Sequence, residues 1–292
     1  MRVRIGVLPS LVTLGNLMCG FAAIGVAARA QLHWAHFLWE TDTAQTAGGS
    51  ASGTHSFALA GALILLAMIF DALDGRIARL ANLTSEFGAQ LDSLCDMVSF
   101  GIAPAYIVFL EVTSREPFGR YRYAWVCAVL FAICAALRLA RFNVETEPTE
   151  ESHRYFRGLP TPAAAGVIAS LAIFDAQFGG FGLWTPRLMP FVALTLGALM
   201  ISRVRYIHLF NMLFRERKPF TCLALVVFIL GSIVALGQYY VYILLGGFAG
   251  YVVLGPVGWV WGLPARRRRA AAEDQADAEA DTPDDPGDEP AS

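Results

Sequence analysis

Four aspartates stand in a stretch of the chain whose flanks are apolar: Asp71, Asp74, Asp92 and Asp96. The first two are three residues apart and the last two are four residues apart, so each pair would share one face of a helix. A hairpin of two such helices would bring the pairs opposite one another. Carboxylates that converge in an apolar place repel each other unless cations neutralise them, so the spacing predicts a site for divalent metal ions.

The ligands of this predicted site are carboxylate oxygens. No cluster of histidines or cysteine thiolates stands nearby, which favours hard ions, Mg²⁺ or Mn²⁺ before Zn²⁺. Four negative charges match two divalent ions. The alternative is that the aspartates are helix-packing or interfacial groups, and it suits one isolated carboxylate better than four on facing surfaces.

The elements that must position the aspartates are membrane helices. The chain of 292 residues is 56% hydrophobic and 16% charged, with a mean hydropathy of +0.51, which is typical of an integral membrane protein and not of a soluble domain. A spanning length of about 20 apolar residues predicts an all-α bundle of about eight transmembrane helices. They lie near residues 8–29, 57–80, 88–112, 122–142, 160–178, 187–203, 219–236 and 239–261. An odd number is the alternative, because the sixth is short and the eighth is rich in glycine.

Arginine and lysine are distributed unequally between the two ends of these helices. If the N-terminus is cytoplasmic, most of the 22 basic residues fall on the cytoplasmic side, which predicts an N-in and C-in topology. The turn at residues 81–87, between the two aspartate pairs, is then cytoplasmic. Residues 31–56 contain no lysine or arginine and end in a Gly/Ser/Ala/Thr run, so they are predicted to form an external loop.

The chain is predicted to consist of two parts, a transmembrane domain over residues 1–265 and a cytoplasmic tail over residues 266–292. The tail begins with a basic run and continues with nine acidic residues, so we expect it to be disordered. The five cysteines show no CxxC spacing and predict no disulfide. The expected partners are membrane lipids, and no nucleic acid.

Small and basic residues surround the aspartates. Gly75 and Gly88 remove side chains beside the carboxylates, so a bulky ligand can approach the backbone there. Ala78 keeps the same region shallow, and Arg79 offers a positive charge to a phosphate. The glycines alone are better explained by ordinary helix packing. Taken with the carboxylates, the group predicts a pocket for a metal-bound diphosphate.

These eight positions reproduce the signature D-x2-D-G-x2-A-R-x8-G-x3-D-x3-D, and the chain therefore resembles the CDP-alcohol phosphotransferases. The resemblance implies transfer of a phosphatidyl or phosphoalcohol group from a CDP-linked donor to an alcohol, with CMP leaving. It implies that Asp96 both contacts metal and serves as the general base. The other ligands of the two metal ions would be Asp71, Asp74 and Asp92. The CDP site would be lined by Gly75, Ala78, Arg79 and Gly88.

Four flanking stretches resemble one branch of that family, the membrane-embedded bacterial phosphatidylserine synthases. They are "LPSLVTLGNLMCGFAAI" at 8–24, "DSLCDMVSFGIAPA" at 92–105, "LRLARFNV" at 137–144 and "FRGLPTPAAA" at 156–165. That branch often has Asn where Ser10 stands. The resemblance implies CDP-diacylglycerol and L-serine as substrates, a bacterial inner-membrane location with the active site facing the cytoplasm, and a homodimer. Within the sequence, a G-x3-G spacing from Gly246 to Gly250 offers a surface for close helix packing.

A serine acceptor also fits basic residues at the cytoplasmic end of the fourth predicted helix. Arg138 and Arg141 are one turn apart and would hold a carboxylate in bidentate fashion, and Asn143 would take the amino group. The alternative is that the arginines reach toward lipid headgroups or set topology. Glycerol 3-phosphate or an inositol phosphate is the rival acceptor. A divalent-cation transporter is the rival class, although it would not require the glycines and Arg79 at this spacing.

Overall fold

The computed structural model of the protein describes residues 7–40, 47–80, 86–115, 121–144, 155–178, 185–202, 204–207 and 239–258. Its helices are α1 (Val7–Glu40), α2 (Ala47–Leu80), α3 (Glu86–Asp96), α4 (Ala103–Arg115), α5 (Tyr121–Val144), α6 (Thr161–Phe178), α7 (Thr185–Ile201) and α8 (Tyr240–Gly258). A π-helical segment, Met97–Ile102, joins α3 directly to α4. Two strands, β1 (Tyr155–Arg157) and β2 (Arg205–Ile207), pair in antiparallel fashion.

Six stretches of helix in the described part of the chain are long and apolar enough to cross a membrane. They are Leu11–Ala30, His55–Gly75, Phe87–Ser114, Arg122–Val144, Thr161–Phe178 and Tyr240–Gly258. Helix α7 contributes a shorter apolar stretch, Arg187–Ile201. The prediction of an integral membrane protein built from helices is confirmed. The predicted helix at 219–236 and the predicted tail at 266–292 lie outside the described residues.

The prediction of an external loop over residues 31–56 is wrong for most of its length. Helix α1 continues to Glu40 and α2 begins at Ala47, so only residues 41–46 lie between them, outside the described part of the chain. Residues 31–56 contain no proline, and therefore nothing removes a backbone donor from the helical hydrogen-bond ladder. The Gly/Ser-rich run lowers helix propensity without ending the helix.

The predicted third helix is continuous but changes its winding immediately after Asp96. The π-helical segment makes a wider turn, a feature often found at functional sites. Its Gly101 packs tightly: an added β-carbon there would lie 2.9 Å from the Met97 sulfur and 3.3 Å from the β-carbon of Ala135. The segment is therefore held against α5, and it sets the direction from which α3 delivers its aspartates.

The two short strands were not predicted, because three residues leave no readable alternation. Gly158 follows β1 with a φ of 86°, a conformation that side chains disfavour. Its amide donates to the carbonyl of Val204 at 2.8 Å, which ties the loop to the end of α7 and β2. Burial raises the pKa of Tyr206 to about 12, so the phenol stays protonated, and it donates to the carbonyl of Val252 at 3.3 Å. The strand pair thereby anchors α8.

One face of α1 is buried along its whole apolar stretch, where it packs against α2, α3 and α4. Its buried positions recur every three or four residues: Thr13, Asn16, Gly20, Ala23, Ala27 and Ala30. Small residues allow this close approach. An added β-carbon at Gly20 would lie 2.7 Å from the α-carbon of Ser99. Two polar residues at one end of the face, Thr13 and Asn16, interrupt an otherwise apolar surface.

Candidate active site

The four aspartates lie at the same end of two neighbouring spans. Asp71 and Asp74 fall in the last turns of the span His55–Gly75, and Asp92 and Asp96 fall in the first turns of Phe87–Ser114. Three of the four come together: one carboxylate oxygen each from Asp71, Asp92 and Asp96 lie within 4.8 Å of one another. The structure thus brings together three of the four aspartates that the sequence predicts to converge.

Asp74 is placed beside this group of three and not inside it. The residue is 6% exposed, and its Oδ2 accepts a hydrogen bond from the Thr13 hydroxyl of α1. Its charge still acts on the carboxylates of both Asp71 and Asp92. Asp74 therefore belongs to the same electrostatic site, but a neighbouring helix holds one of its oxygens.

Asp96 is held by the same neighbouring helix. Its Oδ1 accepts a hydrogen bond of 2.9 Å from Nδ2 of Asn16, a residue that is 0% exposed. The hydroxyl of Ser99 in turn donates to the backbone carbonyl of Asn16 at 3.0 Å. Helix α1 and the π-helical segment are therefore fastened together beside this carboxylate.

The donor set fits a hard divalent ion. Asp74 Oδ1 and Asp92 Oδ1 are buried, and neither has a hydrogen-bond donor among the described residues. A buried carboxylate oxygen without a donor is costly, and a bound cation removes that cost. The oxygen-only chemistry and the clustered geometry both match Mg²⁺ or Mn²⁺.

The predicted CDP-binding residues flank the carboxylates on the same two helices. Gly75 directly follows Asp74 and is exposed, and Gly88 lies one turn before Asp92 and is half-buried. Both glycines therefore leave backbone accessible next to the site. Ala78 and Arg79 belong to the last turn of α2, and their side chains are outside the described part of the structure.

Among the predicted acceptor residues, Arg138 interacts electrostatically with one of the carboxylates. Its Nη1 donates to the hydroxyl of Thr161, the first residue of α6. Its charge interacts with the carboxylate of Asp96 and with Tyr251 of α8. Arg141 follows one turn later on α5 and is half-buried. A cation therefore stands beside Asp96, next to hydroxyl groups from two further helices.

The side-chain amide of Asn143 is hydrogen-bonded to Ser93 of α3. Its Nδ2 lies 3.0 Å from the Ser93 hydroxyl, and that hydroxyl lies 3.1 Å from Asn143 Oδ1. Ser93 follows Asp92 directly. The amide thus links the end of α5 to the helix that carries two of the aspartates.

Four residues of the site were not predicted: Thr13, Asn16, Thr161 and Tyr251. A signal for the first two was present, since both are polar, stand three residues apart and lie in an apolar spanning stretch. Thr161 sits between prolines at a helix start, where a threonine is ordinary. Tyr251 is one of several aromatic residues in α8 and carries no signal of its own.

A comparison with protein families gives a match that contains the four aspartates. A family model described as CDP-alcohol phosphatidyltransferase matches residues 6–197. Since the match covers most of the chain, the protein belongs to this family. The matched segment includes helices α1 to α6 and all four aspartates.

Several curated proteins named CDP-diacylglycerol–serine O-phosphatidyltransferase are similar to this chain over a shorter stretch. The Helicobacter pylori (strain ATCC 700392 / 26695) protein is 38% identical over 155 residues, 53% of this chain and 63% of its own length. The Mycobacterium bovis protein is 34% identical over 186 residues, 63% of this chain and 54% of its own length. The Methanocaldococcus jannaschii protein is 37% identical over 144 residues, 49% of this chain and 61% of its own length. The chain thus matches less than two thirds of each of these three relatives.

Proposed function

We propose that the protein transfers a phosphatidyl group from CDP-diacylglycerol to the hydroxyl of L-serine, giving phosphatidylserine and CMP. The observation that carries the proposal is the meeting of Asp71, Asp92 and Asp96 within 4.8 Å at the end of a membrane hairpin. The family membership supports the reaction class. The names of the similar proteins support serine as the acceptor.

Two divalent ions, Mg²⁺ or Mn²⁺, would be held by the four signature aspartates. Asp71, Asp92 and Asp96 would share one ion, and Asp74 would reach the second through its buried Oδ1. Bound metal would neutralise charge on the diphosphate and on the departing CMP. Gly75, Ala78, Arg79 and Gly88 would receive the CDP group, because the two glycines leave backbone open beside the carboxylates and Arg79 adds a cation.

The proposed transfer is a single displacement at phosphorus. The serine oxygen bonds to the phosphorus that carries diacylglycerol, and the bond from that phosphorus to the bridging oxygen breaks. CMP leaves with the electron pair, and the serine hydroxyl proton passes to Asp96. Asp96 is proposed as the base because it is the signature carboxylate farthest along the third predicted helix, and because its charge interacts with Arg138, where the serine carboxylate would bind.

The acceptor site is proposed to lie around Arg138. A serine whose hydroxyl faces Asp96 would place its carboxylate near this guanidinium, since the charges of the two residues already interact. Arg141, one turn away, would complete the binding of the carboxylate, and Asn143 would take the amino group. An acceptor with its own phosphate would need further cations.

The proposed location and dimer rest on the family resemblance, and the proposed orientation rests on the charge distribution along the chain. We place the protein in a bacterial inner membrane with eight spans, both termini and the active site facing the cytoplasm, and two protomers in a dimer. The excess of basic residues at that end supports this orientation. The site would then receive a lipid donor from the bilayer and serine from the cytoplasm.

The test is product identification. Purified protein is incubated with CDP-diacylglycerol, Mg²⁺ or Mn²⁺, and L-serine, glycerol 3-phosphate or an inositol phosphate in turn. We expect CMP release and phosphatidylserine with serine alone. Transfer to glycerol 3-phosphate and not to serine would overturn the acceptor. Metal flux into liposomes without CDP-lipid would instead favour a divalent-cation transporter.

A further inference from the structure

We propose that helix α1 is a working part of the active site, in which Thr13 and Asn16 are positioning residues for Asp74 and Asp96. This inference rests on the proposed function for its kinetic consequences. Its structural basis is independent of the acceptor, because it consists of two hydrogen bonds between α1 and the carboxylate hairpin.

The first step is that each bond fixes one oxygen of a carboxylate. Thr13 donates to Oδ2 of Asp74, and Oδ1 of Asp74 is left buried with no donor among the described residues. Asn16 donates to Oδ1 of Asp96. A carboxylate with one oxygen held can no longer rotate freely, so the direction of its second oxygen is set.

The second step is that α1 is itself rigidly placed. Gly20 lies so close to Ser99 that a β-carbon has no room, and the Ser99 hydroxyl binds the carbonyl of Asn16 at 3.0 Å. Four residues separate Gly20 from Asn16, so the contact and the hydrogen bond to Asp96 lie one turn apart on one face. The position of the Asn16 amide is therefore determined by backbone packing.

The third step is that the two hydrogen bonds act on carboxylates with different proposed roles. Asp96 is the proposed base, so Asn16 would orient both a metal ligand and the proton acceptor. Asp74 is a proposed ligand only, so Thr13 would act on metal binding alone. Partners of metal ligands typically contribute roughly 10–100-fold to metal affinity or activity.

The experiment measures Mn²⁺ affinity by electron paramagnetic resonance on the full chain in detergent, without substrates. Thr13→Val and Asn16→Leu should each weaken Mn²⁺ binding by roughly 10–100-fold. Thr13→Ser retains the hydroxyl and should restore affinity to within about 3-fold of wild type. Ser170→Ala removes a buried hydroxyl from α6, which carries none of the four signature aspartates, and serves as the control.

Turnover at saturating Mn²⁺ then distinguishes the role of Asn16 from that of Thr13. Asn16→Leu should keep a kcat loss of about 10-fold or more, whereas Thr13→Val should recover to within about 3-fold, with the KM for serine little changed in both. Unchanged Mn²⁺ affinity in both apolar variants would overturn the inference. So would an equal loss of Mn²⁺ affinity in Ser170→Ala, which would indicate helix packing alone.

Failure of the proposed function would look different. A wild-type protein that binds Mn²⁺ but forms no lipid product from any alcohol would refute the transferase proposal. The Mn²⁺ affinities of the Thr13 and Asn16 variants would still decide whether α1 positions the carboxylates. A wild-type protein that binds no Mn²⁺ would overturn both.

Discussion

Two regions of the bundle bury acidic side chains, and they differ in what surrounds the carboxylates. At one end, Asp71, Asp92 and Asp96 are half-buried and bring their oxygens within 4.8 Å of one another. Elsewhere in the bundle, Glu111 of α4 and Asp175 of α6 are 0% and 1% exposed. The latter two are more deeply buried, yet among the described residues neither belongs to a group of three or more potential metal ligands.

The difference shows that convergence identifies a site better than burial does. Glu111 and Asp175 each interact with other groups of the protein, but neither brings several carboxylates to one place. Three acids at one place need an external positive charge. Half-burial also leaves a path for an ion and a substrate, which full burial does not.

The largest expected effect is a loss of turnover when the converging aspartates are replaced, compared with little loss when the isolated buried acids are replaced. Asp71→Asn, Asp74→Asn, Asp92→Asn and Asp96→Asn should each lower turnover by at least ~10²-fold while the protein stays folded. Glu111→Gln and Asp175→Asn should lower the thermal midpoint instead, because a buried polar interaction is lost. Turnover and thermal unfolding are measured on the same preparations. Near-normal turnover in any two of the aspartate variants would contradict the assignment of the converging aspartates to the active site.

Metal removal should act on one region alone. Chelation should abolish transfer, and Mn²⁺ should restore it and raise the thermal midpoint, since an ion at 100 times its dissociation constant stabilises by about 2.7 kcal/mol. The Mn²⁺-dependent rise should disappear in Asp92→Asn and persist in Glu111→Gln. Thermal scans with and without Mn²⁺ check this. A rise that survives in Asp92→Asn would place the ion elsewhere.

The next prediction concerns Arg138 and Arg141, which are proposed to bind the serine carboxylate. Arg138→Lys should raise the KM for serine by about 10-fold and leave the KM for CDP-diacylglycerol nearly unchanged, because lysine keeps the charge but loses the planar fork. Arg141→Lys should show a smaller change of the same kind, as it lies a turn farther along. Steady-state kinetics with each substrate varied measures both constants. A rise in the donor KM alone would assign the arginines to phosphate or lipid headgroups.

The smallest effects concern glycines. Gly20→Ala should destabilise by about 1–3 kcal/mol, because the new methyl group meets the backbone of Ser99. Gly246→Ala meets nothing within 4 Å among the described residues and should change the stability of the protomer by no more than about 0.5 kcal/mol. If α8 packs between two copies, Gly246→Leu and Gly250→Leu should shift the protein toward monomer by mass analysis in nanodiscs. A wild-type monomer would remove the dimer proposal.

The sequence predicts the carboxylate hairpin because the relevant information is local. A spacing of three or four residues places each aspartate pair on one face of its helix. Because the two predicted helices follow each other closely in the chain, a hairpin brings the two pairs opposite one another. Most spans follow from apolar length in the same way. The positions of Asp71, Asp92 and Asp96 therefore require no knowledge of distant contacts.

The remaining parts of the site depend on contacts between residues far apart in the chain. Asn16 meets Asp96 across 80 residues, and Thr13 meets Asp74 across 61. These pairs are set by how α1 packs, which no periodicity encodes. The long ends of α1 and α2 were missed for another reason: the Gly/Ser/Ala/Thr run in residues 31–56 indicated a loop, although no proline stands in this stretch to interrupt a helix.

The π-helical segment between Asp96 and Ala103 makes the site sensitive to chain length. One residue of an α-helix corresponds to roughly 100° of rotation, so deleting Val98 would turn α4 by that angle against α3. Either the aspartates would leave the hairpin, or Glu111 would leave the interior. Substitutions here change one contact at a time, but an insertion or deletion changes them all. Related proteins that keep the four aspartates should therefore vary the composition of this segment and not its length.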